Sequence, residues 1–178
     1  ENNAAALSVL TEEHYFLGNP NYIQEIKEKI NLPILRKDFI IHKSQIYESK
    51  LIGADAILLI KAILPNKNEL QNMLTIAHEQ ELDVILEIHD DSEIEEITDL
   101  EHLHIIGINN RNLKTFETNT DQSLRLKEKI KHYYPNCIII AESGYNSIKK
   151  LDELKNHNFN AVLIGEGLKT NPEILSFF

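Results

Sequence analysis

LPILRKDF at residues 32–39 and HIIGINNRNLK at residues 104–114 decide how this chain is read. Each is a run of leucine and β-branched residues that ends in cationic or amide side chains. A lysine, an arginine and two asparagines stand where a hydrophobic strand runs out. Burying a lysine or an amide costs free energy unless it finds partners, so such residues need a reason to be there. The C-terminal rim of a parallel β/α barrel supplies one, because its functional side chains come from the ends of several strands.

Working outward, the same kind of run recurs along the chain. AALSVLT lies at 5–11, LPILRKDF at 32–39, ADAILLI at 54–60 and LDVILEIH at 82–89, followed by LHIIGINN at 103–110, CIIIAESG at 137–144 and NAVLIGEG at 160–167. Continuous Val/Ile/Leu runs of this length read as strands buried on both faces of a parallel sheet. Between them, Lys/Glu-rich segments at 22–30, 44–53, 68–80, 92–100, 121–130 and 147–157 repeat apolar residues every three or four positions, which predicts helices. Asn21, Ser44, Asn68, Ser92 and Asp121 are the expected N-caps.

Strict alternation of this kind fits either a doubly wound sheet or a (β/α)₈ barrel. No GxGxxG or GxxxxGK motif is present. Polar residues close many of the strands instead, which favours the barrel. Seven strands are counted, the chain starts inside one, and such barrels usually need more than about 200 residues. The expectation is an α/β fold of the (β/α)₈ TIM-barrel type, incomplete here, as a single domain over residues 1–178.

Composition narrows the function. Eighteen basic against twenty-eight acidic residues give a net charge of −10. That disfavours nucleic acid or an anionic membrane as partner, since both require a surplus of Lys and Arg. An anionic small molecule stays open, because a local cluster of cations and amides overrides the global sign. The single cysteine, Cys137, reads as a small buried residue rather than a nucleophile, and suits a reducing cytoplasm. No apolar stretch approaches the roughly 18 residues of a membrane span. The opening ENNAAALSVL lacks the basic start of a signal peptide.

Residues two apart share a strand face. Leu35, Lys37 and Phe39 share one, as do Ile85, Glu87 and His89. Ile105, Gly107 and Asn109 form a third set, and Ile138, Ile140 and Glu142 a fourth. With the apolar members filling the interior, Lys37, Glu87, Asn109 and Glu142 converge at one mouth, where a lysine and two carboxylates can do proton transfer. The same groups could instead form an ion-pair network that closes the barrel end. Ser143-Gly144 and Gly165-Glu166-Gly167 are short glycine-bearing exits. Backbone N–H groups there, with the start of a short helix, suit a phosphate; ordinary turns would read the same. Arg111 offers a fork for a carboxylate, or is a solvated surface residue. The eight histidines show no HExxH or other metal-ligand spacing and read as surface or packing residues.

Together, SVLTEEHYFLG at 8–18, LPILRKDFI at 32–40, GADAILLI at 53–60, LEIHD at 86–90, IGINNRNLKTFE at 106–117, AESG at 141–144 and VLIGEGL at 162–168 resemble the indole-3-glycerol phosphate synthase family of tryptophan biosynthesis. The resemblance implies a (β/α)₈ barrel lyase without metal or organic cofactor. It would close the ring of 1-(2-carboxyphenylamino)-1-deoxyribulose 5-phosphate with loss of CO₂ and water. Carried over by motif, Lys37 would be the general acid of ring closure and Glu87 the acid/base of dehydration. Asn109 would orient the substrate and Glu142 would position the lysine. Arg111 would face the anthranilate carboxylate, while Phe39, Leu59 and Leu113 would pack on the aromatic ring. Ser143, Gly144, Gly165 and Glu166 would hold the phosphate. Fusion or association with other tryptophan-pathway enzymes is compatible with this family.

Two departures stand out. Lys61 follows ADAILLI where the family more often has an apolar residue. The family's first strand, with a Glu-x-Lys pair, and its N-terminal helical extension have no counterpart among these residues, so the 178-residue chain is expected to be inactive by itself. Two alternatives remain open on the residues alone. One is another phosphate-binding barrel isomerase or lyase. The other is a catalytically dead barrel remnant serving as a binding module.

Overall fold

The computed structural model describes residues 4–113 and 115–178; Lys114 of the second signature block lies outside them. Seven strands are present: β1 (Leu7–Leu10), β2 (Ile34–Lys37), β3 (Ala56–Ile60), β4 (Asp83–Ile88), β5 (Ile105–Asn109), β6 (Ile138–Glu142) and β7 (Ala161–Leu163). Their order in the sheet is that of the sequence. The helices are α1 (Asn21–Lys27), α2 (Lys43–Leu51), α3 (Lys67–Glu79), α4 (Asp91–Glu96), α5 (Asp121–Tyr133), α6 (Ile148–Asn156) and α7 (Glu166–Thr170). Every apolar run named above contains one strand, and the first six helices fall on the amphipathic segments. Short 3₁₀ turns at Lys61–Ile63 and Pro172–Phe177 are additions the periodicity did not predict.

The expected N-caps are corrected, all in the same direction. In α2, α3 and α4 the N-cap side chain is His42, Asn66 or Asp90, while α1 and α5 begin after Pro20 and Thr120, which make no side-chain cap bond; in all five a polar side chain two residues upstream of the expected cap accepts from its N–H. Asn19 accepts from the N–H of Asn21, His42 from Ser44, Asn66 from Asn68, Asp90 from Ser92 and Asn119 from Asp121. The cause is local. A side-chain acceptor bonds the amide two or three positions ahead, so the chain commits to the helix before its first periodic apolar residue.

The chain divides into two compact units, residues 4–86 with 99–103, and residues 87–98 with 104–178. In the first, β1 pairs parallel with β2 in the register Leu10↔Lys37, and β2 pairs parallel with β3 through Leu35↔Ala56. Ile34, Ile57, Leu58 and Leu59 are essentially fully buried, as are Leu70, Met73 and Leu74 of α3. Each such side chain contributes about 1.5–3 kcal/mol of burial free energy. In the second, β5, β6 and β7 pair parallel, with Asn109 opposite Glu142 and Glu142 opposite Leu163. Ala141 packs with Leu151 and Leu154 of α6 and with Ile174. The other face of β6 is less covered than expected, since Ile138 is 44% exposed.

The LRKDF block alternates as a strand must. Arg36 and Asp38 turn away from Lys37 and Phe39 and are buried. The Arg36 guanidinium contacts Asp38 at 3.0 Å and Glu48 at 2.8 Å, and donates to the Gln45 carbonyl, Ser49 Oγ and Thr11 Oγ1. Asp38 also accepts from the Thr11 hydroxyl at 2.6 Å and the Phe39 N–H at 2.8 Å. The network locks the backbone on either side of Lys37. Removing one partner of a buried pair leaves the other charge uncompensated, so Arg36→Leu should cost about 3–5 kcal/mol. Arg36→Leu combined with Asp38→Leu should recover a large part of that loss. Urea unfolding midpoints of the two variants decide it; equal losses in both would exclude charge stranding as the cause.

Candidate functional site

The second unit holds most of the expected site. Glu87 is the penultimate residue of β4, Asn109 ends β5 and Glu142 ends β6, and the three are 2%, 8% and 1% exposed. The Asn109↔Glu142 register sets these two side by side on one face. The α5 residue Gln122 donates to the carbonyls of both His89 and Asn109, tying the chain after β4 to the end of β5.

Glycines shape the next stretch. Ser143 and Gly144 are consecutive left-handed residues, at φ 63° and 87°. A Cβ on Gly144 would come within 3.1 Å of Thr120. A Cβ on Gly167 would meet the Tyr145 carbonyl at 2.4 Å, so the first turn of α7 sits directly against the β6 exit. Gly165, which precedes α7, faces open space. The first N–H groups of a helix have no acceptor within it. The exits of β6 and β7 lie beside each other, following the Glu142↔Leu163 register. The Glu166 carboxylate is engaged by Arg111 at 2.8 Å. Leu113 is 43% exposed beyond the end of β5.

Lys37, Phe39 and Leu59 belong to the first unit. Lys37 closes β2, and its carbonyl accepts from the Thr11 N–H. Phe39 packs between Tyr15 and Phe16, with ring centroids 6.1 and 5.3 Å away. Leu59 is fully buried within β3. Lys61 is 2% exposed, with its ammonium 3.5 Å from the Pro65 carbonyl in the following loop. A groove of about 460 Å³ in this unit, between β1, Phe16–Gly18 and α1, is lined by none of the expected site residues.

Two further residues support the site. Asn110 is 1% exposed and alternates to the face opposite Asn109. Its Nδ2 donates to the carbonyls of Glu142 and Ser143 and to the Tyr145 hydroxyl, while its Oδ1 accepts from the N–H and Oγ of Ser123. The doubled asparagine was the available signal, because alternation turns its second member toward the helices. His89 departs from the surface-or-packing reading. Its ring lies between Glu87, at 3.2 Å, and Glu93, at 3.6 Å. Burial pulls its pKa down, but the two carboxylates outweigh burial and lift it to about 9. The signals were the Glu87/His89 spacing of two and the His89/Glu93 spacing of four. Cys137 is buried as expected, and burial pushes its thiol up to about 11, far from a nucleophile's range.

The strand and helix alternation is mirrored by the solved structure of 3-hexulose-6-phosphate synthase from Salmonella typhimurium. The TM-score is 0.70 over 95% of this chain and 81% of that one, at 16% sequence identity. The fold is thus of the (β/α)₈ barrel class, of which this chain holds seven parallel strands. A family model described as indole-3-glycerol phosphate synthase matches residues 1–177. Relatives of that name are 44% identical in Chlorobium luteolum over 98% of this chain, and 43% identical in Bacillus pumilus over 97%. The chain belongs to the indole-3-glycerol phosphate synthase family. It spans 64% and 67% of the length of those two relatives. Among the described residues, no helix is long and apolar enough to cross a membrane.

Two outcomes test this geometry. Asn110→Ala leaves buried groups of Ser123 and Tyr145 without their partner, and should lower stability by about 2–4 kcal/mol in urea unfolding; a change within about 0.5 kcal/mol would deny Asn110 its linking role. His89 has a folded pKa above its ordinary 6.5. Its stabilising contribution is full below about pH 6.5 and is lost as pH rises through about 9. Unfolding midpoints should therefore decline over that window in the parent chain and stay flatter in His89→Gln.

Proposed function

We propose that this chain serves the synthesis of indole-3-glycerol phosphate. It would close the ring of 1-(2-carboxyphenylamino)-1-deoxyribulose 5-phosphate with release of CO₂ and water, as one (β/α) barrel domain in the cytoplasm. The observation that carries this reading is the placement of Asn109 beside Glu142, next to the glycine-bearing exits of β6 and β7.

The roles that the family resemblance implies match what each reaction step needs. Ring closure requires a proton on the ketone oxygen as the aromatic carbon attacks, and Lys37 supplies it as general acid. Loss of CO₂ restores the benzene ring. Departure of the hydroxyl requires a second acid, which is Glu87. Asn109 holds the reacting hydroxyl through its amide, and Glu142 orients the substrate. Arg111 offers its fork to the anthranilate carboxylate. Phe39, Leu59 and Leu113 give the ring apolar cover. Ser143, Gly144, Gly165 and Glu166 bind the phosphate, chiefly by backbone N–H groups, which cost no side-chain entropy. Two acids on different strands let each be tuned by its own surroundings.

The test is turnover of that substrate by the purified 178-residue chain, alone and with an added N-terminal fragment of a family relative. Little or no product from the chain alone, and indole-3-glycerol phosphate on addition of the fragment, is the expected pattern. No product under either condition would overturn the reading. Lys37→Ala should then lower kcat by about 10²–10⁴-fold with far less effect on KM, the signature of a lost general acid. An unchanged kcat would remove Lys37 from the mechanism.

A further inference from the structure

The end of β4 carries more than one acid. His89 Nε2 lies 3.2 Å from Glu87 Oε1, and His89 Nδ1 lies 3.6 Å from Glu93 Oε2 on α4. The same Glu93 oxygen accepts from the His89 backbone N–H. The side chains of His89, Glu87 and Glu93 are 11%, 3% and 12% exposed. A neutral imidazole can donate at one nitrogen only. With a carboxylate near each ring nitrogen, the doubly protonated ring is the form that sets a positive charge between the two acids. Arg125 and Lys129 of α5 are taken up by Asp91 and Glu95, and Gln122 presents an uncharged amide to the His89 carbonyl. Asp90, next in the chain, caps α4 through Ser92 and Glu93 and adds a further negative charge.

We propose that His89 is a positioning residue for Glu87: clamped as an imidazolium between Glu87 and Glu93, it fixes the Glu87 carboxylate and stores the proton that Glu87 delivers. This rests on the reading of Glu87 as the acid of dehydration. The proton passes from Nε2 to the Glu87 carboxylate and on to the departing hydroxyl. The C–O bond breaks, its electron pair leaves with the oxygen, and water departs. The pair is left as a carboxylate and a neutral imidazole. The proton shed by the ring carbon as the indole becomes aromatic restores it. A ring that stays protonated to about pH 9 keeps this store filled through the neutral range.

The experiment combines a ring titration with a rate profile. NMR of the His89 ring in the 178-residue chain, assigned by its loss in His89→Gln, is followed from about pH 5 to 10. A midpoint above about 8 that drops by about one unit in both Glu87→Gln and Glu93→Gln supports the clamp. A midpoint near the ordinary value, or one indifferent to both substitutions, overturns it. Under conditions that give turnover, His89→Gln should lower kcat by about tenfold to a hundredfold, with KM within about twofold. Glu93→Gln should move the basic limb of the kcat profile to lower pH. Turnover whose basic limb ignores both variants overturns the proton store while leaving the synthase reading intact. A carboxylate-dependent midpoint in a protein that never turns over this substrate removes the synthase reading and supports the clamp alone.

Discussion

The buried amide of Asn110 is the interaction on which the second unit depends. One side chain spends its two donors on the carbonyls that end β6 and on the Tyr145 hydroxyl, and its acceptor on the start of α5. An amide in so dry a place costs several kcal/mol unless every group is met. Once met, it links the exits of two strands and one helix at a single point. Asn109 inherits its direction from this. The strand cannot shift by one residue without exchanging the two asparagines between faces, which would strip Asn110 of its partners.

The first unit solves the same problem with charge. Arg36 and Asp38 sit beneath Lys37 in a network that also takes in Thr11, Ser49 and Glu48. Such a network is weak evidence for stability, because desolvation offsets much of the attraction. Its consequence is geometric: the backbone that presents Lys37 and Phe39 is held from both sides. In both units a candidate site residue alternates with one bonded into the scaffold.

Charge is arranged locally against the global sign. The chain carries a net −10, yet Arg111 pairs with Glu166 beside the glycine exits and His89 lies between two acids. Net charge thus speaks to long-range partners such as nucleic acid, and leaves small anions to the few groups within reach of a site.

The strands and helices were legible in the sequence because burial on both faces demands unbroken Val/Ile/Leu runs, and a helix covering them demands a repeat of 3.6. Period-two alternation also assigned Glu87, Asn109 and Glu142 to strand ends, and the LRKDF and GINNRNL blocks pointed to the family. Three things waited for the tertiary structure. The capping atoms lay two residues upstream of the expected ones, since side-chain acceptors reach ahead of the apolar repeat. Asn110 and Arg36 emerged as hubs only when their partners, 13 to 35 and 2 to 25 positions away, were brought beside them. The protonation of His89 depends on a dry setting and on two carboxylates at opposite nitrogens, and a list of residues contains neither burial nor distance.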